Sequence, residues 1–417
     1  MKKELSLQRI PWIYIPTLYF AEGLPYIIVN SVSVIMYKKM GISNQLIGLT
    51  SILYLPWVIK MFWGPAVDIY STKRNWIIFM QLGMGFVFVA LAMAIQLSGF
   101  FLLTLGGFII VAFMSATHDI AADGFYMLAL DQKQQALFVG VRATFYRLAV
   151  LFGSGVLVVI AGNIEKNTLN IPLSWTIVLA IAAVVFLGAF IFHRFYLPFP
   201  LNDFSRKGES RRAPFVDIFR SYFSQNKIVA IVIFILVYRL GEAILSKMAA
   251  PFLLDQPEAG GLGLETQTVG YVYGTVGVLS LTVGGLLGGW LISKYGLKRC
   301  IWPMALLLKA PDLVYIYMAA AKPALEQIYF LVALEQFGYG FGFTAFMVFL
   351  MFIADEKYKT SHFAISTGIM ALGMMLPGMA SGFLQNALGY VNFFILVICL
   401  TIPGLLVIFF IPLEEKG

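Results

Sequence analysis

Charge and cysteine are scarce in this sequence, and each scarcity excludes a class of protein. Only 12% of the 417 residues are charged, against roughly 25% in an average soluble domain. Sixty per cent are hydrophobic and 15% aromatic, and with a mean hydropathy of +0.85 no stretch remains for a sizeable water-soluble domain. The two cysteines, Cys300 and Cys399, show neither metal-ligand spacing nor a disulfide framework and read as small hydrophobes. No small-residue cleavage site accompanies the first apolar run, which carries Glu22 and follows Lys2, Lys3 and Arg9. It reads as a retained helix and not as a removable signal peptide. Period-two alternation is missing too, which excludes a membrane β-barrel. No basic patch is interleaved with a soluble fold, so nucleic acid is not an expected partner. No nucleophile and base stand at compatible helical spacing with an oxyanion partner, so no enzyme is expected and no cofactor is implied.

What is present is a succession of apolar runs of helical length. About 20 such residues cross a ~30 Å hydrocarbon layer, and with a barrel excluded only a helix satisfies its own backbone there. In order, the runs predict twelve spans, at residues 11–37, 45–70, 75–97, 100–130, 138–162, 172–196, 225–253, 268–292, 299–319, 325–353, 362–386 and 390–411. The fold class expected is therefore an all-α polytopic membrane protein. One long connector, residues 197–224, separates a six-helix bundle over 1–196 from a second over 225–417. With the N-terminus inside, nineteen lysines and arginines fall on inward-facing segments and four, Lys38, Lys39, Lys166 and Lys322, on outward-facing ones. The positive-inside rule then puts both termini and the connector in the cytoplasm, and topology accounts for most of the net charge of +8.

One turn occurs twice. The first copy closes LPWVIKMFWGPAVDIYSTKRN, Leu55 to Asn75, with Gly64, Asp68, Lys73 and Arg74. The second, 225 residues on, is GWLISKYGLKR, with Gly289, Ser293, Gly296, Lys298 and Arg299. Two six-span halves with this turn after spans two and eight resemble a secondary transporter of the major facilitator type, whose loop pattern is Gly, three residues, Asp, then glycine and basic residues. The first copy keeps the acid and lacks the later glycine; the second has Ser293 in place of the acid. As a gate, Asp68 holds the basic loop in one conformation and releases it in the other. The plainer alternative is that Lys73 and Arg74 only obey the topology rule. The gate predicts an asymmetry: in an uptake assay, replacing Asp68 impairs transport more than replacing Ser293, whereas equal tolerance reduces the turn to a topology signal.

An ionisable group inside the bilayer costs about 2.5 kcal/mol or more, so it faces a cavity or a partner. Lys60 sits near the middle of span two, with Glu22 of span one as its natural counter-charge. Gly23 and Pro25 weaken the helix beside Glu22 and open a carbonyl to a cavity. In span four, Asp119 and Asp123 are four apart and share a face, while His118 points about 100° away. Zinc would need more ligands, so no metal is expected. Two carboxylates on one face resist double ionisation, which makes one a candidate proton carrier; pairing with Arg142 or Arg147 of span five is the structural alternative. His118 is either proton-responsive or a packing histidine. Arg142 shares a face with Tyr146, and the deeper Arg147 offers a fork suited to carboxylate or phosphate. In span seven, Arg239 and Glu242 are spaced to pair within the helix, leaving Tyr238 to face sugar or peptide. Lys309 and Asp312 are spaced likewise around Pro311, and Lys247 is placed to snorkel. These cations favour a small anionic or zwitterionic solute.

Four blocks then carry a family resemblance: EGLPY from Glu22 to Tyr26, PWVIKMFWGPAVD from Pro56 to Asp68, THDIAADGF from Thr117 to Phe125, and YRLGEA from Tyr238 to Ala243. Together they resemble the AmpG muropeptide permeases, which have something close to TQDIAIDAY and YKLGDA at the last two, and related text occurs in the acetyl-coenzyme A transporters of the same branch. The resemblance implies a monomeric bacterial inner-membrane permease of the major facilitator superfamily. It would import anhydromuropeptides, GlcNAc linked to anhydro-MurNAc with or without a peptide stem, and be driven by protons through alternating access. His118, Gly124 and Phe125 depart from that pattern, which has glutamine, alanine and tyrosine there. Another organic anion, such as acetyl-coenzyme A, also suits the basic residues, although no nucleotide signature is present. A non-transporting sensor or assembly protein is the alternative of a different class; it would not need Lys60, Asp123, Arg147 and Arg239 to converge on one cavity.

Overall fold

A computed structural model of the chain describes residues 2–200, 203, 212–355 and 358–413, with side chains except at 2–10, 65, 66, 68, 69, 132, 136, 212–215, 359 and 360. The side chain of Asp68 and residues 201–202 and 204–211 of the connector lie outside that set. Eleven described helices are long and apolar enough to cross a membrane. They are α1 (Pro11–Lys39), α2 (Asn44–Gly64), α3 (Lys73–Ala94), α4 (Phe100–Ala129), α5 (Lys133–Thr168), α6 (Ile171–Tyr196), α7 (Ile228–Leu254), α8 (Thr266–Tyr295), α9 (Leu297–Ala321), α10 (Leu325–Phe352) and α11 (Ser361–Val407). The protein is thus an all-α polytopic membrane protein. The 47 residues of α11 would extend ~70 Å at 1.5 Å per residue, more than twice the hydrocarbon thickness. Gly389, at φ 69° and ψ 168°, interrupts the helix in a conformation that a Cβ disfavours. The two pieces, 359–388 and 390–407, correspond to the last two predicted spans.

Two compact units divide the chain. The first comprises Met1–Met36 with Phe62–Glu209, the second Tyr37–Met61 with Ser210–Gly417. In the first, α1 lies against α5: a Cβ at Gly23 would meet the Tyr146 carbonyl oxygen at 3.0 Å, and one at Gly153 would overlap Ile27. Small residues permit such backbone contact between membrane helices, where lipid tails are as apolar as leucine. In the second unit, residues 37–61 lie along α11. A Cβ at Gly382 would collide with the Asn44 carbonyl, and one at Gly378 would stand 2.5 Å from Ser51 Oγ.

Helix irregularities differ from those expected. α1 remains helical through Gly23 and Pro25 and widens only at a π-helical turn, Ile28–Val32, where Asn30 Nδ2 donates to the Tyr26 carbonyl at 3.1 Å. The break expected at Gly23–Pro25 is absent because Gly23 serves close packing and the π turn takes up the distortion. α7 is two helices, Ile228–Val237 and Leu240–Leu254, separated at Tyr238 and Arg239, with Arg239 at φ −109° and ψ 21°. α9 breaks into a 3₁₀ turn at Ala310–Asp312, as Pro311 predicts. The connector, read as linker throughout, carries a helix, Arg212–Phe223. It is anchored by buried Tyr222, whose hydroxyl shares a 2.9 Å hydrogen bond with Ser366 Oγ.

Candidate functional site

In the first unit, α1, α4 and α5 bring a carboxylate, a guanidinium and two phenols together. Asp131 caps the helix that becomes α5, accepting from Gln134 N, and Tyr126 OH donates to the Gln135 carbonyl, which ties the end of α4 to the start of α5. Arg142 Nη2 donates to Asp123 Oδ1 at 2.8 Å, and Tyr19 OH donates to the same oxygen at 3.1 Å. The guanidinium lies 4.4 Å from the Tyr19 ring centroid and 5.1 Å from that of Tyr126. The side chains of Arg142 and Asp123 keep 29% and 48% of their accessible surface. The two charged groups are therefore open, with guanidinium N–H groups left for a ligand, while Tyr19 and Tyr126 are buried beneath them. Glu22 stands three residues after Tyr19 on α1 and is buried. Tyr26, Asp119, Tyr146 and Arg147 are half-buried on the same helices; Arg147 forms no ion pair among the described residues, so Arg142 is the arginine that meets the span-four acids.

His118 belongs elsewhere. Fully buried, it continues a polar chain through the core: His118 Nε2 is 3.0 Å from Gln81 Nε2, Gln81 Oε1 is 2.9 Å from His193 Nδ1, and His193 Nε2 is 3.0 Å from Thr17 Oγ1. Donation by the Gln81 amide makes His118 Nε2 an acceptor, which places the proton of the neutral ring on Nδ1. The structure thus places His118 apart from the Asp123–Arg142 group.

The second unit holds a buried charged cluster beside the breaks in α7 and α9. Lys309 Nζ donates to the Tyr238 carbonyl at 2.5 Å and to Glu242 Oε1 at 3.3 Å. Lys309 and Glu242 are 3% and 4% exposed. Two spacing-based expectations are corrected here. Lys309 pairs across helices with Glu242 and not with Asp312, and Arg239 donates to Tyr339 OH and lies 4.7 Å from the Phe343 ring. The reason is the pair of breaks, which take each residue off the regular i, i+3 register. Tyr238, assigned to sugar or peptide, is fully buried and stacks on Phe346 at 5.0 Å. Lys247 does not snorkel: it is 1% exposed, with Nζ 5.3 Å from the Tyr54 ring centroid.

Sequence reasoning overlooked two groups. Glu335 on α10, 5% exposed, accepts from Gln336 Nε2 at 2.9 Å and from Tyr315 OH at 3.5 Å. An acid inside the apolar run LVALEQFGYGF was the available signal. The other is a network between the α1–α2 turn, the end of α7 and α11. Lys38 Nζ pairs with Asp255 Oδ1 at 2.5 Å, Tyr390 OH donates to Asp255 Oδ2 at 2.6 Å, and Asn44 Nδ2 donates to Gln385 Oε1 at 2.7 Å.

The repeated turns are unlike one another. Asp203 accepts from the backbone N–H groups of Lys73 and Arg74 at 2.7 and 3.0 Å, an anion at the start of α3. Arg74 donates to the carbonyls of Leu197 and Arg194, which fastens α3 to the end of α6. In the second copy Ser293 Oγ donates back to the Trp290 carbonyl at 2.7 Å, Gly296 adopts φ 77°, and Lys298 and Arg299 are exposed. A Cβ would meet nothing at Gly64 and only Thr344, at 4.0 Å, at Gly289. Lys60 is half-buried at the end of the 37–61 segment that packs with the second unit, whereas Glu22 is part of the first.

Sequence and structure comparisons agree with this architecture. A Rickettsia conorii protein named as an AmpG transporter is 23% identical over 409 residues, covering 94% of both chains. The anhydromuropeptide permease of Escherichia coli K12 is 24% identical over 402 residues, covering 93% of this chain and 77% of its own. The crystal structure of a D-xylose-proton symporter superposes with a TM-score of 0.72 at 13% identity, covering 96% of this chain and 97% of its own. The Major Facilitator Superfamily profile matches residues 17–308, most of the chain. The chain belongs to the Major Facilitator Superfamily and is a transporter, not an enzyme.

Proposed function

We propose that this protein is a proton-coupled permease of the bacterial inner membrane that imports anhydromuropeptides, with both termini cytoplasmic. The observation that carries the reading is the open Tyr19–Asp123–Arg142 group. It offers a guanidinium, held between the buried rings of Tyr19 and Tyr126, for a carboxylate such as an anhydromuropeptide carries. The likeness to a permease named for that solute, over 93% of this chain and 77% of its own, supports it, and the likeness of fold to a proton symporter is in keeping with coupling.

Uptake of labelled anhydromuropeptide into proteoliposomes tests this, with and without an imposed pH gradient, acid outside. The gradient is expected to raise accumulation at least tenfold. Transport of another organic anion with no uptake of the muropeptide would overturn the substrate; muropeptide uptake indifferent to the gradient would overturn the coupling.

A further inference from the structure

We propose that the buried carboxyls of Asp312, Glu242 and Glu335, set against Lys309, form a proton-binding site that holds one exchangeable proton. The functional use of that proton rests on the proton-coupled reading above; the site itself rests on charge, burial and geometry.

Three acids from three helices meet here, on α7, α9 and α10, and each is 2–5% exposed. Glu242, Glu335 and Lys309 all act electrostatically on Asp312. The other ionisable groups facing the cluster are Tyr238 and Arg239 of α7, Tyr273 of α8, Tyr315 of α9 and Tyr339 of α10. Counting Lys309 and Arg239 as cations, full ionisation leaves three negative charges against two positive. One uncompensated charge in a membrane interior is costly, and a single proton on one carboxylate brings the cluster to neutrality. The converted group is a carboxylate that becomes a carboxylic acid; no other bond changes.

Hydrogen bonding points to the residue. Asp312 Oδ2 and Glu242 Oε2 are buried and have no hydrogen-bond partner among the described residues. Glu242 is already neutralised through its other oxygen by Lys309, and Glu335 accepts two hydrogen bonds. Asp312, with its orphan oxygen, is left as the carboxyl that carries the proton. By contrast, the Asp123–Arg142 pair of the first unit is neutral and half-exposed as it stands.

The backbone singles out the same place. Asp312 ends the 3₁₀ break of α9, and Lys309 binds the carbonyl freed at the break of α7. Discontinuous helices of this kind are where secondary transporters bind coupling ions. Close approach of α10 keeps the acids together: a Cβ at Gly338 would stand 2.8 Å from Pro311 Cγ and would overlap the Leu307 carbonyl.

Infrared spectra of the full-length protein in liposomes, recorded through a pH titration, read the C=O stretch of protonated carboxyls without any solute. A band that disappears as pH rises is expected in the unmodified protein, lost in Asp312→Asn and shifted in midpoint in Glu335→Gln, while exposed Glu326→Gln leaves it unchanged. A titrating band that neither Asp312→Asn nor Glu335→Gln alters, or no such band at all, would overturn the assignment. In the same liposomes, Asp312→Asn should lose at least tenfold of gradient-driven muropeptide accumulation and keep exchange at equal pH; unchanged gradient-driven accumulation would overturn the use of this proton in coupling. Glu335→Gln provides the second variant should Asp312→Asn not fold. Should the unmodified protein ignore the gradient while its band still titrates through Asp312, the proton-coupled reading fails and the proton-binding site stands.

Discussion

Replacing Lys309 with methionine is expected to cost ~3–5 kcal/mol of stability, and adding Glu242→Gln to that variant is expected to recover most of the loss. Removing one partner of a buried ion pair leaves the other charge without compensation, whereas removing both costs far less. Here the pair is almost wholly buried, and Lys309 also satisfies the Tyr238 carbonyl at the break in α7. The single variant therefore leaves both a buried carboxylate and a freed carbonyl unpaired; the double variant leaves only the carbonyl. Thermal unfolding of the unmodified protein, the two single variants and the double variant completes a cycle that measures the coupling. Strictly additive losses would show that Lys309 contributes through packing of its stem and not through Glu242.

Arg142→Lys should behave in the opposite way, with transport reduced and the fold spared. The Arg142–Asp123 pair is open to ligand, and exposed pairs contribute no more than about 1 kcal/mol to stability. Arginine can hold Asp123 with one N–H and direct the rest of its fork at a solute, while stacking between Tyr19 and Tyr126. An ammonium supplies one point charge and cannot do both. Loss of one charge-assisted hydrogen bond, ~1.5–3 kcal/mol, corresponds to a roughly ten- to hundredfold weaker uptake, seen mainly as a raised KM, with an unchanged melting temperature. A destabilised variant with normal uptake would make Arg142 a structural partner of Asp123 and no more.

Several residues of these sites were legible in the sequence, and their order along a helix explains which. His118 and Asp119 are adjacent, so a helix must point them to different neighbours. His118 accordingly joins Gln81 and His193, while Asp123, a turn further on, meets Arg142. Pro311 announced the break in α9 by lacking an N–H. The break at Tyr238–Arg239 had no such marker, and with it went the expected Arg239–Glu242 pair. Glu335 was passed over although it is an acid in an apolar run, because its partners Tyr315 and Gln336 carry no charge. Lys247 was expected to reach the membrane surface, and it lies buried instead, with Nζ 5.3 Å from the Tyr54 ring centroid.

By itself the sequence determined that this is a helical multispanning protein, since crossing a bilayer depends on local apolar length and on backbone hydrogen bonds made within each segment. Those quantities add along the chain and can be read from it. Which charge meets which was decided only in the tertiary structure. A lysine on α9 and an acid on α7 are far apart in sequence and meet at 3.3 Å because two helices break at the same place. Asp312 and Glu335 are held together because glycines let α10 touch α9. The partner of a buried charge is set by distances between helices, and spacing within one helix does not contain them.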